Sequence, residues 1–323
     1  MDNPLIVSSS PHIHTNESVS SVMLDVLIAL LPATFAGIYF FGYRAALVVC
    51  CAIVFCVAAE WAYQKLTKRT VTVRDLSAVV TGLLLGLNMP PTIPLWMVAV
   101  GSIFAIIIVK QLFGGLGKNF VNPALAARCF MLIAWTGAMT TYVVPLAGYG
   151  ADAITSATPL AVLGGAQGSL PTLKEAFLGA KAGTVGETSA LMLLIGFGYL
   201  LARGTITIKI PFAYIASFAV LTFFFGENNT DLNNVNFTLM ELLTGGLLLG
   251  AFFMATDYTT TPTTPRGHWI FGIGCGVLTF LIRRFGGYPE GVSFSILLMN
   301  CAAPLIERFT VPRSFGSKGG MQA

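Results

Sequence analysis

The 323-residue chain is 55 % hydrophobic and only 10 % charged, whereas a soluble domain carries roughly a quarter charged residues; its composition excludes an ordinary soluble enzyme. The net charge of +4 does not point to nucleic acid, because the basic residues sit in short connections between apolar runs, where they report membrane topology.

A helix needs about 20 apolar residues to cross the hydrocarbon core, within roughly 17–25. Residues 1–20 are polar and lack a basic start followed by a short apolar core, so no cleavable signal peptide is expected. Runs at 21–41, 45–64, 76–88, 93–109 and 123–143 predict five helices, and runs at 186–202, 205–225, 239–250, 267–282 and 291–306 predict five more. Two of these, 76–88 and 239–250, are too short for a full crossing and end in irregular sequence. The expected fold is an all-α polytopic membrane protein of ten helices. It divides into an N-terminal segment 1–20, a first unit 21–143, a long connection 144–185, a second unit 186–306 and a tail 307–323.

With the N-terminus in the cytoplasm, twelve Lys and Arg residues fall inside and five outside, namely Arg44, Lys174, Lys181, Arg283 and Arg284, while Arg128 lies within a helix. This asymmetry predicts that both termini are cytoplasmic and that the 144–185 connection is extracytoplasmic.

The two units share ordered sequence fragments. The run from Thr81 through Gly82 to Gly86 recurs from Thr244 to Gly250, Phe113-Gly114-Gly115 recurs as Phe285-Gly286-Gly287, and Cys129 and Cys301 follow at equal distances. Units of five crossings are odd, so the second copy is inverted. Short segments in matching positions of inverted repeats border midplane sites in transporters, and a cofactor-free secondary transporter or channel is the alternative that this pattern alone supports.

The six cysteines form no C-x-x-C pair and lie almost entirely within apolar runs; they read as small buried hydrophobes rather than metal ligands. His12 and His14 read as interfacial side chains, and no metal site is expected. Among acids in or beside apolar runs, Asp25 and Glu241 are candidates for an ion path, with Glu60 and Asp257 in similar settings. No nicotinamide- or nucleotide-binding glycine pattern is present, so electrons would have to come from partner proteins.

In the 144–185 connection, Asp152 is followed by Thr155, Ser156, Ala157, Thr158 and Pro159. The proline pushes Thr158 toward an extended conformation and displays its hydroxyl. On these facts alone an ordinary loop threonine is the better reading.

The run resembles the flavin-attachment motif of the NqrB/RnfD family: an Asp, a Ser or Thr three residues on, then Ala-Thr, matched here by Asp152, Thr155, Ala157 and Thr158. Further family-like motifs follow in order along most of the chain. They are Ser10-Pro11-His12, Gly114 to Gly117 with Asn122-Pro123, Gly186 to Ser189, Met254 to Asp257 with Pro262 to Pro265, and Gly286 to Pro289 with Gly291. Length and the Ser-Ala-Thr-Pro wording favour the RnfD branch. The resemblance implies FMN joined through its phosphate to Thr158 by a flavin transferase, with Asp152 assisting. It also implies a second, non-covalent flavin (riboflavin), for which Asn88 and Asp257 in the repeat-related short segments are the candidate contacts. The implied role is electron relay within the Rnf complex, linking ferredoxin and NAD to proton or sodium translocation across the inner membrane. The implied partners are other membrane subunits, a second covalent-flavin subunit and the bilayer, with no nucleic acid.

Overall fold

The computed structural model describes residues 18–146, 157–226, 232–287 and 290–312. Among them every regular element is helical. α1 (Val19–Leu66) opens on a capping box in which Ser18 Oγ accepts from the Ser21 amide and Ser21 Oγ accepts from the Ser18 amide. It is two helices in one, broken at Gly42, where φ of 69° lies in the left-handed region that glycine adopts at no steric cost. The arms on either side of that break are the two predicted runs 21–41 and 45–64.

α2 (Ser77–Leu87) is the central helix: every residue from Thr81 to Pro91 is buried. The proline-rich exit after Asn88 is therefore interior backbone, of the kind that survives at membrane depth only when enclosed by protein. α3 (Leu95–Ile103) runs on into a π-helical stretch, Phe104–Gln111. Asn122 caps α4 (Pro123–Ala134) with its Oδ1 accepting from the Ala124 amide at 3.0 Å and the Leu125 amide at 3.3 Å, and Pro123 occupies the first turn. The predicted run 123–143 is not one helix. Trp135 leaves helical geometry at φ −136°, ψ 55°, only the short α5 (Thr136–Met139) follows, and the hydroxyls of Thr136, Thr140 and Thr141 bond back to carbonyls four residues earlier.

Two short helices, α6 (Pro159–Leu163) and α7 (Leu173–Leu178), occupy the long connection. Then come α8 (Ala190–Ala202), α9 (Lys209–Phe225) and α10 (Asn234–Leu243). The run predicted as one short helix over 239–250 is instead cut in two. α11 (Leu247–Leu249) and its π-helical continuation Gly250–Met254 are bent by 61° from α10, because Gly245 (φ 72°) and Gly246 (φ 66°) take left-handed backbone. α12 (Pro265–Phe285) and α13 (Val292–Thr310) complete the bundle. Among the described residues α1 and α13 are long and apolar enough to cross a membrane, the bent α10–α11 pair is a third candidate, and five shorter apolar helices accompany them.

Contacts between connecting segments sort the helix ends into two groups. At one end Arg203 meets Asp25, Lys110 meets Glu60 and Ser77, Tyr258 bonds Thr205, and Thr264 bonds Thr310. At the other, the Leu146 amide bonds the Phe40 carbonyl, Thr92 bonds the Thr141 carbonyl, and Arg283 meets Glu241.

The end of the long connection is not a surface loop. Residues 181–190 are all buried, and the Val185 amide donates to the Met89 carbonyl at 3.0 Å. Gly37 makes room for this strap, since a Cβ there would stand 2.4 Å from the Val185 oxygen. Lys181 (4 % exposed), the Arg283 side chain (5 %) and, on the side counted as cytoplasmic, Lys110 (2 %) are interior charges and do not bear on which side of the membrane faces out. Two cysteines also depart from expectation: Cys50 and Cys301 are exposed on outward helix faces, whereas Cys56, Cys129 and Cys275 are buried as predicted.

Candidate functional site

Thr158 is extended (φ −65°, ψ 151°), as the following proline predicts, and it is the N-cap of α6, its Oγ1 accepting from the Ala161 amide at 3.2 Å. The residue is largely buried, but it lines a cleft of about 250 Å³ together with Leu132, Thr140, Tyr142, Ala157, Ala161 and Glu290. Asp152, Thr155 and Ser156, like His12 and His14, lie outside the described residues.

Behind the cleft lies a buried polar cluster that sequence reading missed. Arg128, on α4, donates through Nη1 to Asn88 Oδ1 at 2.9 Å and to Ser293 Oγ at 3.0 Å. Its Nη2 reaches Glu187 Oε1 at 3.4 Å and makes a close ion pair with Glu290. Glu290 in turn accepts from the Tyr142 hydroxyl at 3.3 Å. Lys181 completes the group from the strap, with its ammonium on the Leu243 carbonyl; burial lowers this amine to about 8, and Glu187 pulls in the opposite direction. One signal was available: Arg128 and Lys209 are the Lys or Arg residues inside predicted helices, Lys209 near the start of its run and Arg128 followed by fifteen further residues of its own, and an intramembrane charge is a functional hypothesis by default.

The candidate pair Asn88 and Asp257 is not brought together around one cavity. Asn88 is 1 % exposed and committed to Arg128, with its amide nitrogen on the Leu84 carbonyl and the Met254 sulfur. Asp257 lines a narrow pocket of about 80 Å³ with Asn119, Asn122, Lys110 and Thr259. Desolvation raises the pKa of its carboxyl above the ordinary carboxylate value, and the hydrogen bonds it accepts from Thr259 and Thr260 pull the opposite way. A second cleft of about 280 Å³ adjoins this pocket through Ile206, Thr256 and Tyr258.

The two candidate ion-path acids each have a cationic partner. Asp25 accepts from Tyr199 at 2.9 Å and from the half-exposed Arg203 at 3.3 Å. Glu241 meets Arg283 at 2.7 Å, and the same guanidinium bonds the carbonyls of Thr244 and Gly245, pinning the break between α10 and α11. Glu60 is completely buried and holds Lys110 and Gln111.

A sequence model of the NQR2, RnfD, RnfE family matches residues 6–316. The D component of the Na(+)-translocating ferredoxin:NAD(+) oxidoreductase complex of Acetobacterium woodii is 50 % identical over 97 % of this chain and 95 % of its own length. Its counterpart in the proton-translocating ferredoxin:NAD(+) oxidoreductase complex of Clostridium ljungdahlii is 43 % identical over 98 % and 97 %. The D component of an ion-translocating oxidoreductase complex from Shewanella amazonensis is 37 % identical over 98 % and 99 %. With motifs, length and near-complete coverage in agreement, the chain belongs to the NQR2, RnfD, RnfE family.

Proposed function

We propose that this chain is the flavin-carrying, RnfD-type membrane component of an ion-translocating ferredoxin:NAD oxidoreductase, a redox-driven translocase whose other subunits supply the ferredoxin and NAD sites. The end-to-end likeness to components of such complexes supports the complex, and the ion is sodium or a proton, as their names divide. The observation that carries the flavin reading is Thr158 itself: an extended, proline-fixed hydroxyl opening on a cleft. Its volume lies just below the roughly 300–1,000 Å³ of small-molecule sites. The residues fit an FMN esterified there. Leu132, Ala157 and Ala161 offer apolar surface, Tyr142 an aromatic edge, and the Ala161 amide keeps its place beside the esterified oxygen. A flavin supplies the capacity to accept and pass electrons singly; the chain binds, orients and shields it.

Attachment requires a flavin transferase, and relay requires a second covalent-flavin subunit. Riboflavin belongs on the Asp257 side, where the joined pocket and cleft offer hydroxyls, amides and apolar walls. Asn88 then acts through Arg128 and not on that flavin.

The finer architecture in this reading is ten crossings in two inverted five-helix repeats, in the inner membrane with both termini cytoplasmic. Its support is a repeated device at opposite ends of the bundle. Lys110, just before Phe113-Gly-Gly, pairs with Glu60 and bonds Ser77 at the start of α2. Arg283, just before Phe285-Gly-Gly, pairs with Glu241 and bonds Thr244 before α11. The Thr158 connection is then extracytoplasmic.

Intact mass of the purified polypeptide decides the central point. The parent carries one FMN adduct and Thr158→Ala carries none; an adduct of equal mass on both would place attachment elsewhere.

A further inference from the structure

Among the described residues six side chains share the cleft with Thr158, and of these only Tyr142 and Glu290 carry ionisable groups. Glu290 arrives from the connection between α12 and α13, far along the chain, and only 13 % of its side chain is exposed. Its two oxygens are held from different directions: Oε2 by the Arg128 guanidinium and Oε1 by the Tyr142 hydroxyl at 3.3 Å. Arg128 is in turn fixed by Asn88 and Ser293, so the carboxylate cannot swing away from the wall.

The charge balance is uneven across this group. Arg128 faces two carboxylates, Glu290 on the cleft side and Glu187 on the far side, where Lys181 lies beyond it. Arg128 is shared between the two carboxylates, though it sits closer to Glu290, and it lies behind the carboxylate rather than in the cleft lining, so the cleft meets the carboxylate ahead of its cation. In a water-poor interior such a charge acts strongly on any neighbouring group that gains an electron.

Resting on the reading of Thr158 as a flavin-attachment site, we propose that Glu290 is a positioning residue that holds down the reduction potential of the group at Thr158, with Arg128 setting how far and Tyr142 holding the carboxylate in place. An electron added beside a fixed, partly compensated carboxylate is disfavoured, so this site passes electrons onward more readily than it retains them.

The test is a potentiometric titration of the purified whole complex, followed by flavin absorbance, with the signal of this site taken as the difference between the parent and Thr158→Ala. Glu290→Gln removes the charge and keeps the shape; the site then titrates at a more positive potential, while Glu290→Asp stays close to the parent. Tyr142→Phe releases the Oε1 side of the carboxylate and gives a smaller shift in the same, more positive direction, and it remains informative if Glu290→Gln does not assemble. Glu187→Gln, behind Arg128, gives a smaller positive shift than Glu290→Gln. Fluorescence of the polypeptide on a denaturing gel confirms that each variant carries its flavin. Parent-like potentials in both Glu290→Gln and Tyr142→Phe, with the flavin attached, overturn the proposal. A fluorescent Thr158→Ala band overturns the attachment reading instead.

Discussion

Glu60 and Lys110, 50 positions apart in sequence, face each other at 2.9 Å with both side chains essentially sealed from solvent. Gln111 and Gln64 amides complete the carboxylate, and Ser77 Oγ takes the ammonium at 2.6 Å. This pair ties the second arm of α1 to the π-helical end of α3 and to the start of α2. Removing one member of a buried pair strands the other, at about 3–5 kcal/mol. Glu60→Met and Lys110→Met should therefore each lower the thermal midpoint in detergent strongly, and the double variant should recover much of the loss. Single variants as stable as the parent would contradict this.

Thr158→Ala removes an N-cap acceptor from the five-residue helix α6. Such a loss costs about 1 kcal/mol, too little to unfold a bundle of this size. The variant is expected to express and melt close to the parent, so that a missing adduct reports chemistry. A collapse in yield or melting temperature would show that the threonine is structural first.

Lys181 carries a pH signature. Its amine sits at about 8 in the folded protein against 10.5 for the free side chain, so between these values the unfolded chain binds the extra proton. Stability then rises with pH across that window, by on the order of 3 kcal/mol, and below about 8 the full cost of burying the charge is present. Denaturation measured from pH 7.5 to 10 should show the parent gaining on Lys181→Met. Parallel curves would mean that the lysine is better compensated than its burial implies.

Two glycines on α8 should respond in opposite directions to alanine. At Gly196 a Cβ would stand 2.0 Å from the Ala29 carbonyl oxygen, whereas at Gly198 nothing lies within 4 Å. Gly196→Ala is expected to cost roughly 1–3 kcal/mol by overpacking. Gly198→Ala should be neutral or gain up to about 1 kcal/mol from helix propensity. Comparing the two melting temperatures removes any general effect of altering α8.

Much of the helical layout could be read from hydropathy, because a run of apolar residues leaves the chain few alternatives to a helix in lipid. Pro159 likewise made the backbone of Thr158 predictable. The cut at Gly245–Gly246 was not legible: a glycine pair in an apolar run is compatible with a continuing helix, and the bonds that hold the turn open come from distant residues, Arg283 to the Thr244 and Gly245 carbonyls and Lys181 to the Leu243 carbonyl. The Arg128 cluster escaped for a different reason. Its carboxylates lie 59 and 162 positions away, and no local pattern links residues so separated. Cys50 and Cys301 were misplaced because an apolar setting looks the same whether a side chain meets protein or lipid.

The strap at 181–190 has a consequence for biogenesis. It is lodged against Gly37 and Leu87 of the first half and against Gly246 and Leu249 of the second, and the cleft at Thr158 borrows Leu132 and Tyr142 from before it and Glu290 from near the chain's end. A ribosome must therefore synthesise almost the whole polypeptide before this seam can close. Any enzyme that modifies Thr158 in the finished cleft works after synthesis, on a nearly complete protein. If the two halves were made as separate polypeptides, neither would carry a usable half-site.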